Sequence, residues 1–188
     1  MNRDVMLRKI RALMHDPPEK ALILGRSING GHEGRAKQLM GLLGLDEVIP
    51  GEVKTADRIA SAADRVNLKG FPTDWPQNPL VVHPLSGKQF PIGSLAAVDS
   101  RAVMGSVDEV VDELRKDYGD DLEKLYLAFW RELLPRLEAK RERDGMGQLW
   151  EVLPADTRVP DHSIWEHRRV TSAIAGALPK PAFLLFAL

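Results

Sequence analysis

The sequence contains no cysteine. This absence excludes disulfides, thiolate catalysis and cysteine-ligated zinc, so any bound metal must take its ligands from His, Asp, Glu or water. The chain also lacks a secretory signal and an apolar run of about 18 residues, and we therefore expect a cytoplasmic protein without a membrane span. With a net charge of -1, the protein as a whole does not attract nucleic acid electrostatically. Any contact with nucleic acid must therefore come from local basic patches.

The remaining composition is that of an ordinary globular protein. With 188 residues, of which 44% are hydrophobic and 28% charged, the chain can form one domain with a substantial core. After Pro179 and Pro181, residues 182–188 are apolar to the last position, which is unusual for a natural terminus. We expect this segment to begin a further domain of a longer protein; the alternative is a terminal strand docked on the domain.

Hydrophobic spacing predicts a mainly helical fold. The predicted helices cover residues 2–14, 32–43, 53–67 and 163–178, a stretch beginning at Ser106 with a capping box to Glu109, and a long segment over 121–143 that is kinked or broken at Pro135. Five prolines between residues 68 and 100 argue against helix there. In this β insert, Leu80–Val82 and Gln89–Phe90 are predicted to pair as a short hairpin.

The dipeptide His15-Asp16, in the run L-M-H-D-P-P-E-K, is the most informative motif. It lies where the first helix must end, because Pro17 disfavours the helical conformation in the residue before it. An imidazole nitrogen beside a carboxylate oxygen can ligate a divalent cation. By itself the pair is weak evidence, since His-Asp is frequent by chance.

The last helix places a histidine on its inner face. Ile164, His167, Thr171, Ile174 and Leu178 recur at spacings of three and four residues, so His167 is predicted to point inward. For a single buried histidine, the simpler interpretation is a core residue that hydrogen-bonds a neighbour.

Two aspartates on the predicted third helix lie seven residues apart. Asp57 and Asp64 would share a face about 10 Å apart, too far to bind one ion together. They can be read as solvated charges paired with Arg58 and Arg65. Asp57 adjoins a face of small alanines, however, which favours an inward or boundary position.

Four more residues have both a structural and a chemical interpretation. His32 opens the second helix and can simply face solvent there, and Lys20 can be a solvated cation. Asp161 can cap the last helix, with His162 facing water. Taken together, His and Asp residues on several helical segments of a thiol-free chain are typical of a metallohydrolase.

Four segments carry a resemblance to a known family, and they span residues 13 to about 178. They are H-D-P-P-E-K, T-A-D-R-I-A-S-A-A-D-R, H-P-L-S-G and the highly specific L-P-A-D-T-R-V-P-D-H-S-I-W-E-H-R-R-V-T-S-A-I-A. They resemble the N-terminal HD-superfamily nuclease domain in the large subunit of type III-B CRISPR effector complexes, in the Cmr branch. The resemblance implies a circularly permuted HD fold over residues 1–181, with a β-hairpin insert at about 68–100, followed by a palm domain from residue 182.

The resemblance also implies roles for individual residues. His15 and Asp16 match the metal-binding signature, Asp57 matches the closing aspartate of the HD set, and His167 resembles the histidine that ordinary HD proteins carry near the N-terminus. His32 resembles an added histidine that would allow a second ion. Lys20 follows the H-D-x-x-x-K spacing and would meet a phosphate, with Arg168 or Arg169 as further phosphate contacts. The less certain metal ligands are Asp64, Asp161 and His162.

The activity implied is metal-dependent cleavage of single-stranded DNA in antiviral defence, with one or two ions of Mn, Ni, Co, Fe or Zn. The implied partners are the other subunits of the effector complex with guide RNA and target RNA. The family's G-G-D-D cyclase motif is absent, so cyclic oligoadenylate synthesis would lie outside residues 1–188. Two alternatives stay open: a nucleotide phosphohydrolase, and a catalytically inactive HD domain that serves as a docking module.

Overall fold

The computed structural model describes residues 2–25, 30–61, 75, 77–83, 85–93, 95 and 98–178. Within these residues the chain is mainly helical and carries one small antiparallel sheet. In chain order the elements are α1 (Arg3–His15), α2 (Lys20–Gly25), α3 (Gly31–Leu42), α4 (Gly51–Ala60), β1 (Leu80–Val82), β2 (Gln89–Pro91), α5 (Ser100–Tyr118), α6 (Leu122–Arg131), α7 (Leu133–Ala139), α8 (Arg141–Asp144), α9 (Leu149–Val152) and α10 (Ile164–Ala177).

The end of α1 and the start of α10, the helices that carry His15 and His167, agree with the sequence prediction. The backbone of Asp16 is extended (φ -109°, ψ 105°), so α1 ends at His15, directly before the two prolines. At the start of α10, the Ser163 side chain accepts a hydrogen bond from the backbone of Glu166, and the Glu166 side chain accepts one from the backbone of Ser163. This capping box fixes the first turn of the helix that carries His167.

Small side chains bring α1, α4 and α10 together. Ala12, Val53, Ala56, Ile174 and Ala175 form a buried cluster where α10 packs against both other helices. Because alanine side chains are short, the backbones can approach closely. A larger core, which includes Ile10, Leu39, Val107, Leu133 and Trp150, lies between α1, α3 and the helices α5 to α9.

The predicted hairpin is confirmed. Strands β1 and β2 pair antiparallel, with Val81 opposite Phe90 and Val82 opposite Gln89. The amide of Val82 donates to the carbonyl of Pro160, which attaches the hairpin to the segment before α10.

Two predictions about helix ends were wrong, and one helix was not predicted. Helix α5 begins at Ser100, capped by the Asp99 side chain, so Ser106 is buried inside the helix and caps nothing. The segment 121–143 forms three helices that break at Glu132 and Lys140, and Pro135 lies in the first turn of α7, where a missing N–H is tolerated. Helix α2, directly after the H-D-P-P segment, was not predicted.

Some predictions concern residues outside those described. The predicted third helix is observed up to Ala60, and its remaining part, including Asp64, lies outside the described residues. The same is true of residues 182–188. None of the described helices has the length and apolar character needed to cross a membrane.

Candidate metal centre

Asp16 lies at the centre of the candidate site. Its side chain is only 1% exposed at the end of α1, and its Oδ2 lies 2.7 Å from Lys20 Nζ and 3.1 Å from His167 Nε2. Its other oxygen, Oδ1, lies 3.7 Å from Nδ1 of the neighbouring His15. The H-D-P-P-E-K segment thus contributes an imidazole, a carboxylate and an ammonium group to one place.

Two distant helices complete the cluster. His167, 4% exposed on the inner face of α10, places Nε2 3.1 Å from Asp57 Oδ1, at the same distance as from Asp16. Asp57 belongs to α4 and is half-buried, as its alanine neighbours predict. His15, Asp16 and Asp57 each offer a ligand atom, and these three atoms lie within 4.8 Å of one another. Residues more than 100 positions apart therefore converge on one point.

Two polar atoms in this cluster are buried without a hydrogen bond. Among the described residues, neither Asp16 Oδ1 nor His15 Nδ1 has a hydrogen-bond partner. A buried polar atom left unsatisfied costs about 1–3 kcal/mol, so such atoms call for an explanation. Imidazole nitrogens and carboxylate oxygens are common ligands of divalent cations in proteins, and this set of donor atoms therefore fits a metal ion.

The electrostatics of the cluster lead to the same conclusion. Burial opposes ionisation of Asp16, but the hydrogen bond from His167 and the charge of Lys20 hold its pKa well below the usual range. The same two forces, burial and the His167 hydrogen bond, act on Asp57, and its pKa is also lowered. Burial disfavours the imidazolium form of His167, yet its hydrogen bonds with Asp16 and Asp57 prevail and raise its pKa to about 9. Two ionised carboxylates thus hold a positive charge between them, and a metal ion would replace the proton on His167.

A cavity of about 500 Å³ opens onto this cluster. The side chains that line it come from α2, α3, α4, α10 and the loop before α10: Lys20, Leu24, His32, Asp57, Ser61, Ala155, Asp156, Thr157, Arg158, His162 and His167. Asp16 and His15 are not among them and are buried. A substrate in the cavity would meet Asp57, His167 and Lys20 directly.

His32 reaches this cavity without joining the three-residue group. It lies in the first turn of α3, is partly exposed, and burial lowers its pKa. Instead of simply facing solvent in an exposed turn, the His32 side chain lines the same cavity as Asp57 and His167.

Asp161 and His162 form a pair of their own. Nδ1 of His162 lies 2.7 Å from Asp161 Oδ1, and the ring of His162 lies 5.8 Å from the ring of His167. The residue that caps α10 is Ser163 rather than Asp161, and His162 lines the cavity instead of simply facing water. Asp161 therefore orients the imidazole of His162.

The two arginines expected to contact phosphate do not line this cavity. Arg168 is buried, and its Nε donates a hydrogen bond to the carbonyl of Leu13 at 2.6 Å. Arg169 donates to the carbonyl of Trp130 and lies over the ring of that tryptophan. The Arg168 side chain faces the packing between α1 and α10, whereas Arg169 lies beside Trp130 and lines a second cavity.

Comparison with known proteins adds one relationship. The chain is similar to a CRISPR subunit. It is 23% identical, over an alignment of 215 residues, to the CRISPR system Cmr subunit Cmr2 of Pyrococcus furiosus. The alignment covers 89% of this chain and 24% of that protein, so the chain spans about a quarter of its length. No family model matches the chain, and no solved structure matches it.

Sequence reasoning did not identify Arg158. The side chain of Arg158 is 80% exposed, lines the cavity, and pairs with Asp156, whose Oδ1 lies 3.0 Å from Arg158 Nε. Both residues belong to L-P-A-D-T-R-V-P, the first part of the longest segment quoted for the family resemblance. The sequence signal that could have identified Arg158 is its position as the basic residue within the most specific motif of the chain.

Proposed function

We propose that this chain is the HD-type nuclease domain of a type III-B CRISPR effector large subunit, with a circularly permuted HD fold, and that it cleaves single-stranded DNA with the help of a divalent metal ion. The observation that carries the proposal is the convergence of His15, Asp16, Asp57 and His167, with two buried polar atoms unsatisfied among the described residues, beneath an open cavity. The similarity to Cmr2 supports the CRISPR assignment.

Four residues would hold the metal ion. His15, Asp16, Asp57 and His167 supply two imidazoles and two carboxylates, a set that suits Mn, Ni, Co, Fe or Zn better than an all-oxygen cage would. His32, on the same cavity wall, would assist a second ion. A cation held by these residues would lower the pKa of a nearby water and would neutralise charge on the phosphoryl oxygens.

Lys20 and Arg158 would position the phosphate. Lys20 Nζ is fixed by Asp16, but an ammonium group has three donors, so the remaining N–H groups can meet a phosphate oxygen in the cavity. Arg158, whose side chain is 80% exposed, pairs with Asp156 through Nε and Nη2, and its remaining N–H groups can donate to a second phosphate oxygen. Asp16 thus holds both the metal and the lysine that contacts the substrate.

Single-stranded DNA suits this arrangement. The chain has a net charge of -1, so DNA binding must depend on a local basic groove. A single strand can be bound by such a groove without recognition of the major or minor groove of a duplex. In the full-length protein we expect the domain to act with the other effector subunits, guide RNA and target RNA.

The test is metal-dependent cleavage of a labelled single-stranded oligonucleotide by Asp16→Asn and Asp57→Asn variants. Both substitutions keep the shape of the side chain and remove a charged ligand. Since mutation of residues that merely orient metal ligands costs 10- to 100-fold, we expect losses of about 100-fold or more. The matched control is Asp46→Asn, because Asp46 is exposed and pairs only with Arg11 among the described residues.

The alternatives predict different results. Cleavage of the oligonucleotide by Asp16→Asn at the wild-type rate would overturn the proposal. Hydrolysis of deoxynucleoside triphosphates, with the oligonucleotide left intact, would instead identify a nucleotide phosphohydrolase. A purified chain that binds no transition metal would identify a docking module.

A further inference from the structure

A second cavity, of about 450 Å³, adjoins the first. It lies between the β-hairpin and the start of α10, and its apolar lining includes Val82, Phe90, Leu134 and Trp165. We propose that this cavity is a binding subsite for a nucleobase of the single-stranded DNA whose phosphate lies at the metal centre, with Phe90 as the surface on which the base stacks. The inference rests on the proposed function, since it takes the same substrate.

The two cavities meet at one side chain. His162 lines both of them, and it is held by Asp161, which lines the second. A nucleotide whose phosphate contacts Lys20 and Arg158 in the first cavity therefore has its base or a neighbouring base beside the second. The continuity makes one extended ligand, rather than two separate ones, the natural occupant.

Charge decides which part of the ligand enters the second cavity. Three carboxylates, those of Glu151, Asp161 and Glu166, line it together with one arginine, Arg169, which already donates to a backbone carbonyl. A phosphate would be repelled there, whereas an uncharged base would not. In the first cavity the positive groups are at least as numerous as the carboxylates, because Lys20 and Arg158 line it together with Asp57 and Asp156, and His167 pairs with Asp57.

Phe90 has the features of a stacking platform. It lies on β2, its exposed fraction is 41%, and Lys88 Nζ lies 5.2 Å from the centre of its ring. Proteins that bind single strands commonly combine exposed aromatic rings with nearby positive charge, because every base offers a π-face.

The experiment measures binding of a fluorescein-labelled single-stranded oligonucleotide by fluorescence anisotropy in EDTA, where the metal-dependent step cannot proceed. Loss of one base-stacking contact weakens binding by about tenfold, and we expect this for Phe90→Ala. Phe90→Trp, which keeps an aromatic face, should bind within about twofold of the wild type. The control is Leu85→Ala, because Leu85 is 92% exposed in the hairpin turn and does not line the cavity.

An oligomer built of abasic residues completes the test. If Phe90 contacts a base, the wild type and Phe90→Ala should bind the abasic oligomer equally. Equal affinity of the two proteins for the normal oligonucleotide would overturn the inference, and so would an equal tenfold loss on both ligands. Because binding is measured without metal, Phe90-dependent binding by a chain that never cleaves DNA would contradict the nuclease proposal and leave the subsite standing.

Discussion

At the scale of single residues, Glu19 and Arg35 form a buried ion pair behind the candidate metal centre. Glu19 is the glutamate of H-D-P-P-E-K, and its Oε1 lies 2.7 Å from Arg35 Nε on α3. Arg35 also lies 2.7 Å from Asp108 and donates to the carbonyl of Met104. Burial raises the pKa of Glu19, and the nearby Arg35 charge opposes that shift. The pair therefore joins α3 and α5 to the segment that carries Asp16.

We predict that Arg35→Met destabilises the protein strongly. The substitution leaves the Glu19 carboxylate buried without its partner, and breaking a buried pair in this way costs about 3–5 kcal/mol. Urea unfolding followed by circular dichroism measures the change. The control is Arg101→Met, which removes an exposed arginine near the start of α5 and should change stability by less than about 0.5 kcal/mol.

A second substitution separates charge from packing. Adding Glu19→Gln to Arg35→Met removes the unpaired charge, so the double variant should regain a large part of the lost stability. If the double variant is no more stable than the single one, the loss comes from packing of the arginine stem and the ion-pair explanation is wrong.

At the scale of elements, the separation between α4 and α10 sets the geometry of the metal centre. Ala56 is fully buried in the small-residue cluster, one position before Asp57. We predict that Ala56→Leu costs about 1–3 kcal/mol of stability, because added methylenes overpack a tight interface. It should also weaken metal binding, since α4 must move away from α10 and carries Asp57 away from His167. Isothermal titration with Mn²⁺ measures the affinity.

Thr55→Leu is the matched control for that prediction. It adds a leucine to the same helix at an exposed position, so neither the interface nor the metal affinity should change. A metal affinity in Ala56→Leu equal to that of Thr55→Leu would show that helix separation does not control the site.

Elements with a local signal could be predicted from the sequence. The end of α1 follows from Pro17, the start of α10 follows from Ser163 and Glu166, and the hairpin follows from the turn residues 85–88 between its two strands. The start of α5 was predicted six residues too late, because Ser106 and Glu109 match a capping box while Asp99 is the residue that caps. A local pattern cannot decide between two such candidates when both precede an apolar run.

In the candidate site, too, the features with a local sequence signal could be predicted, and those that depend on helix packing could not. The helical spacing correctly placed His167 on an inner face, and the alanines correctly placed Asp57 at a boundary. Which residues meet, however, depends on how α1, α4 and α10 pack, and spacing within one helix carries no such information. For this reason Arg158, which belongs to a loop without periodicity, was not identified, and Arg168 and Arg169, which were expected to contact phosphate, do not line the cavity at the metal centre.

At the scale of the whole molecule, the cluster ties three remote parts of the chain together. His15 and Asp16 end α1, Asp57 lies on α4, and His167 lies on α10, so their ligand atoms are close only in the folded chain. A metal ion that needs all of them binds the native state and not the unfolded one. Its binding energy then becomes folding energy.

We therefore predict that Mn²⁺ raises the thermal unfolding midpoint. At a concentration of about 100 times Kd, the linkage supplies about 2.7 kcal/mol, and for a domain of this size each kcal/mol shifts the midpoint by about 2–4 °C. We expect a rise of about 5–10 °C over the protein in EDTA, measured by differential scanning calorimetry. Ca²⁺, which prefers an all-oxygen set of six to eight ligands, should produce a smaller rise at equal concentration.

Two variants decide whether the rise comes from the proposed site. Asp57→Asn removes one ligand at a half-buried position, so it should lose the Mn²⁺ effect while keeping a cooperative transition in EDTA. Asp46→Asn changes an exposed aspartate by the same chemistry and should keep the full rise. A rise that persists undiminished in Asp57→Asn means that manganese binds elsewhere on the protein, and the convergence of α1, α4 and α10 would then have to be explained by the His167 ion pairs alone.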